Sequence, residues 1–111
     1  MLGVEDTPTD VVCFHSQQGA EKALKAYLVR MDHDFPKMHD LLTLMGLCRS
    51  HDEEFLRIAD ALKFLDDYAV ETRYPDDWRE IPREEAARAL HEAESVLGFV
   101  RGKLGDLMRR G

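Results

Sequence analysis

His15, Gln18 and Lys22 follow one another at spacings of three and four inside the stretch CFHSQQGAEKALK, residues 13–25. On a helix that spacing gathers an imidazole, a primary amide and an ammonium on one face. An ammonium neutralises phosphate, and an amide pairs with the edge of a base. The same face has a structural alternative. Two adjacent glutamines beside a helical core cost free energy unless their amides find partners, so a polar flank with one satisfied buried glutamine explains the cluster equally well. Glu21 and Lys25 form an (i, i+4) pair next to it.

Other reactive residue types carry less. Asp32-His33-Asp34, His39-Asp40 and His51-Asp52 supply ligands that suit a divalent cation. They fall at the ends of helical segments, where Asp and His serve as caps, and lack the spacing of a closed metal site. Repeated His-Asp pairs in a helical chain suggest a metal-dependent phosphohydrolase, but that fold needs a longer chain, so neither metal nor cofactor is expected. Ser16 does not sit in a strand-to-helix elbow, and neither Cys13 nor Cys48 has a nucleophile signature around it. Asp66-Asp67 and Asp76-Asp77 are sequence neighbours, which a helix points apart. Basic residues cluster only at Arg101, Lys103, Arg109 and Arg110, where a helix C-terminus favours cations without any ligand.

The elements that must hold these residues are helical. At Thr7-Pro8-Thr9-Asp10 the pattern predicts a helix start, with Thr7 as N-cap and Pro8 at the first helical position. Cys13, Gln17, Ala20, Leu24, Tyr27 or Leu28, and Met31 then form a stripe, flanked by the small residues Ser16, Gly19, Ala23 and Ala26. This helix should stop before Pro36. A short second helix is expected over 39–49, with Leu41, Leu44, Met45 and Cys48 inward. Ser50 and Glu53 read as a capping box for a third, which runs to about 71–73 and ends before Pro75. The last should span about 82–107 on a seam of Ala86, Leu90, Ala93, Leu97, Val100, Leu104 and Leu107, with Gly98, Gly102 and Gly105 beside it. The expected fold is therefore all-α, an antiparallel up-and-down bundle of about four helices, residues 1–111 forming a single domain.

Composition narrows the partners. The 111 residues are 44% hydrophobic and 33% charged with a net charge of −7, which disfavours sequence-independent binding to RNA or DNA. No apolar run is long enough to span a membrane. The start MLGVEDTPTD lacks the pattern of a signal peptide, so a cytoplasmic location with free thiols is expected.

Three stretches together resemble the HEPN family, named for a nucleotide-binding domain of higher eukaryotes and prokaryotes. They are residues 13–26 (CFHSQQGAEKALKA), residues 36–42 (PKMHDLL), and Tyr68 followed by Arg73-Tyr74-Pro75-Asp76. The resemblance covers about 11–105. It implies an antiparallel helical bundle, commonly a homodimer, often encoded beside a minimal nucleotidyltransferase as a toxin–antitoxin pair or a two-component enzyme. It also implies a nucleotide or nucleotide-like ligand, with His15, Gln18 and Lys22 as the binding residues and Arg73 as an anion contact. Some members of the family are metal-independent RNases with an Arg-x(4–6)-His spacing. Here Arg83 and His91 are separated by seven residues, Arg88 and His91 by two, Arg30 and His39 by eight, and Arg49 and His51 by one. None fits, so no catalytic residue is expected, and the chain resembles the non-nucleolytic branch. Relatives usually carry a full helix before the Cys-Phe-His segment, where about ten residues stand here. Either the assigned start omits that helix, or a smaller core leaves apolar surface that favours dimerisation.

Overall fold

In a computed structural model the chain is described over residues 7–35, 37, 40–69 and 80–110. Among these residues there are four α-helices and no strand: α1 (Thr9–Arg30), α2 (Leu41–Arg49), α3 (Ala59–Asp66) and α4 (Arg83–Arg110). A 3₁₀ turn, Glu53–Ile58, leads into α3.

The start of α1 lies two residues beyond the expected cap. Pro8 takes the N-cap position, and its carbonyl accepts from both Val11 N and Val12 N. The core side of α1 is as expected: Cys13, Gln17, Ala20, Leu24, Tyr27 and Leu28 are buried. Its end is marked by Asp32 at φ 55°, a left-handed conformation that Asp tolerates better than most side chains.

In α2 the four expected inward residues, Leu41, Leu44, Met45 and Cys48, are all buried. The N-cap is Asp40, whose carboxylate accepts from Leu42 N at 3.1 Å and from the Thr43 hydroxyl at 2.7 Å. Ser50 does not cap the next element. It stays helical and donates to the Leu47 carbonyl at 2.6 Å, closing α2. Asp52 serves as the cap instead, accepting from Glu54 N at 3.0 Å. α3 ends at Asp66, short of the expected 71–73, because the chain turns through Asp67 and Tyr68.

Cross-contacts fix the helix directions. Phe55 packs on Phe99, and Arg88 lies 4.1 Å from the Phe64 ring centre, so α3 runs against α4. Leu41 N donates to Asp66 Oδ1, while the turn after α2 meets the start of the 3₁₀ segment, so α2 also runs against α3. α1 and α4 run the same way, so the all-α bundle does not alternate strictly up and down as expected. Residues 8–10 lie beside 80–83, Gly19 beside Leu97, and Tyr27 beside Lys103 and Leu107. Tyr68 is buried, and its hydroxyl donates to Glu85, joining the end of α3 to the start of α4.

The buried face of α4 is Ala86, Ala89, Ala93, Val96 and Val100. Compared with the expected seam, it is rolled toward the small residues. Leu97 is 36% exposed, and Leu90, Leu104 and Leu107 are only partly buried. Short side chains are buried on both helices, Ala20 and Ala23 on α1 and Ala86, Ala89 and Ala93 on α4, while the longer leucines of α4 lie at the edge of the contact.

Candidate functional site

The roll of α1 decides what its polar residues can do. With Cys13, Gln17, Ala20, Leu24 and Leu28 facing the core, positions 15, 18 and 22 are turned outward together. His15 and Lys22 are exposed, and Gln18 is half-buried. His15 stands against the Phe14 ring, with centroids 5.7 Å apart. Among the described residues, Lys22 has no ion-pair partner. Its ammonium is thus a cation available to an anion from outside.

The two glutamines divide the alternatives between them. Gln17 is fully buried, whereas Gln18 bridges core and surface. Gln18 Nε2 donates to Gln17 Oε1 at 2.8 Å and reaches Glu21 Oε1 at 3.5 Å. Glu21 is 4% exposed and pairs with Lys25 at 3.0 Å; the Lys25 ammonium in turn lies 5.8 Å from the centre of the Phe35 ring. Gln17, Gln18, Glu21 and Lys25 therefore form a chain of bonds that leads a buried amide out to solvent. The Gln18 carbonyl oxygen takes no share in these bonds and remains able to accept from a ligand. Arg73, with the rest of the Arg-Tyr-Pro stretch, and His39 lie outside the described residues.

Both thiols are buried. Cys48 Sγ donates to the Leu24 carbonyl at 3.6 Å, and burial pushes this thiol up to about 12, so it is a core group and not a nucleophile.

Two cavities open at opposite ends of the α1–α4 pair. One, about 560 Å³, is lined by Pro8, Thr9, Asp10, Glu80, Ile81, Pro82 and Arg83. Two carboxylates against one guanidinium make it a poor seat for phosphate. The other, about 60 Å³, lies among Tyr27, Asp52, Lys103, Asp106 and Leu107. Neither includes His15, Gln18 or Lys22.

At the smaller cavity the fold builds a polar cluster that spacing alone did not reveal. Lys103 pairs with Asp52 at 2.8 Å and also donates to Glu54, and both partners hold its ammonium above the usual lysine range. Burial raises the Tyr27 hydroxyl, with the Asp52 charge adding to the effect. His51 lies edge-on to Tyr27, and its Nε2 is 2.6 Å from His33 Nδ1. His51-Asp52 was visible as a motif, but the partners His33 and Lys103 come from remote segments.

A protein-family model described as "HEPN domain" matches residues 2–103 of the chain. No curated protein and no solved structure matches it.

Proposed function

Since the chain belongs to the HEPN domain family, we propose that it is a non-catalytic helical binding module for a nucleotide or nucleotide-like phosphate. The observation that carries this reading is Lys22, an exposed cation with no ion-pair partner among the described residues, on the same face of α1 as His15 and the half-buried Gln18. Lys22 neutralises the phosphate, the Gln18 carbonyl and His15 address the base or sugar, and Arg73 adds a second anion contact. The module is a single helical domain that works in the cytoplasm as a homodimer beside a minimal nucleotidyltransferase. The alternative of a toxin RNase is set aside, because no Arg-x(4–6)-His pair occurs in the sequence. The remaining alternative is a purely structural interaction dimer.

Calorimetric titration with ATP tests the reading. Binding that Lys22→Ala weakens by about 1–3 kcal/mol, the value of a charge-assisted contact, supports it. The same variant should melt with the wild type, because an exposed lysine contributes little to folding. A flat titration at millimolar ATP would retire the ligand and leave the structural dimer.

A further inference from the structure

We propose that His33 and His51 form a binding site for a divalent cation of the zinc class, at the end of the bundle where α1 and α2 both terminate. The proposal is independent of the nucleotide site, since neither histidine lies on the outward face of α1 that carries Lys22.

The geometry is that of two ligands already converged. His33 Nδ1 and His51 Nε2 face each other at 2.6 Å, although 18 positions separate them in sequence. Each is carried by an anchored backbone. His33 N donates to the Leu28 carbonyl at 2.9 Å, just after the left-handed Asp32, and His51 N donates to the Cys48 carbonyl at 3.0 Å. The His51 ring is further placed by the edge of Tyr27, with centroids 6.4 Å apart. Two imidazoles in this arrangement share one proton between two ring lone pairs, and a cation that prefers imidazole can replace that proton.

Little movement is needed. At zinc–nitrogen distances of about 2.0–2.1 Å, a tetrahedral angle sets two ligating nitrogens roughly 3.3 Å apart, so the pair must open by about 0.7 Å. His51 is exposed and His33 is half-buried, which leaves room for that opening. The surroundings favour positive charge. Asp32 and Asp34 flank His33 and Asp52 follows His51; of the cations at this end, Lys103 is held by Asp52 and Glu54 and Arg49 by Glu53, while Arg30 closes α1. Among the described residues no group of three or more ligand side chains is assembled. Water fills the remaining positions, so binding is weaker than at a closed four-ligand site.

The test is titration of the whole chain with zinc chloride in a non-chelating buffer, followed by calorimetry and by melting temperature. One zinc per chain should bind and raise the melting temperature. His33→Ala and His51→Ala should each weaken binding at least about tenfold, as loss of a direct ligand exceeds the cost of losing an outer-shell one. His91→Ala, which removes an exposed histidine on α4, should leave it unchanged, and magnesium should not bind. Absence of zinc binding, wild-type zinc affinity in either the His33 or the His51 variant, or magnesium binding in place of zinc would each overturn the proposal. If the pair is only a hydrogen-bonded clamp, the two variants shift the apo melting temperature while the zinc titration stays flat.

Discussion

At the scale of single residues, α1 places two hydroxyl- or amide-bearing side chains in the core with opposite consequences. Gln17 is fully buried and bonded to Gln18, while Ser16 Oγ is buried without a hydrogen-bond partner among the described residues. A buried hydroxyl without a partner costs the free energy of its lost hydration, so Ser16→Ala should stabilise the fold by up to about 1 kcal/mol. Gln17→Ala removes a filled volume and strips Gln18 of its acceptor; a loss of about 2–4 kcal/mol is expected. Urea denaturation of the two variants checks both signs, and a stabilising Gln17→Ala would refute the account of the polar chain. Lys22 belongs to the third kind of residue, exposed and dispensable to folding, so its substitution should register in ligand affinity alone. The spacing of His15, Gln18 and Lys22 was legible because helical periodicity alone turns them to one side. Which of the adjacent glutamines would be buried was not, because that depends on how far α1 is rolled against its neighbours.

At the scale of elements, the junction of α2 with α3 is set by two carboxyl groups. Burial raises Asp66 above the usual carboxylate range, with the Asp40 carboxylate adding to it, while the Thr43 hydroxyl holds Asp40 below that range. The raised group contributes stability that is full below the ordinary carboxylate pKa and is lost as pH rises through the Asp66 value. Asp40 does the reverse, stabilising above the ordinary pKa and losing that contribution as pH falls through its lowered value. Asp66→Asn keeps an acceptor for Leu41 N and removes the second charge. It should therefore exceed the wild type by a few tenths to about 1 kcal/mol at pH 7, screening included, with the gap closing at pH 4. A variant less stable than wild type at pH 7 would refute this assignment. In α4, Gly98 and Gly102 are exposed, and a methyl group at either would meet nothing within 4 Å among the described residues. Gly102→Ala should add about 0.5–1 kcal/mol, read from the thermal midpoint, unless a second chain packs there and the added methyl weakens association instead. The elements themselves were largely legible: the inward set of α2 and the span of α4 follow from local periodicity. The exceptions have tertiary causes. Ser50 lost the cap to Asp52 when its hydroxyl turned back to Leu47, and the α4 seam rolled toward Ala89 and Val96, whose burial depends on how α4 seats against the other helices. His33 and His51 meet only through the fold, so no local pattern announces them.

At the scale of the whole molecule, a net charge of −7 makes self-association depend on apolar contact in place of charge pairing. Among the described residues no helix is long and apolar enough to cross a membrane. Leu97 and Val11 are exposed at 36% and 37%. If the chain works as the proposed two-fold dimer, light scattering should give twice the chain mass at micromolar concentration, and Leu97→Glu should shift the population toward monomer. A monomer at that concentration would count against the dimer. The parallel pairing of α1 with α4 also has a consequence for biosynthesis. Residues 19 and 97 are neighbours in the finished molecule but about 80 positions apart along the chain. At roughly 5–20 residues per second, translation leaves α1 without its longest partner for on the order of 4–16 s. During that interval the side of α1 that meets α4, from Gly19 to Tyr27, has no α4 to cover it, and closing so long a loop keeps α1–α4 docking from coming early. A nascent chain arrested near residue 80 should therefore be stickier than the completed protein until α4 emerges and docks.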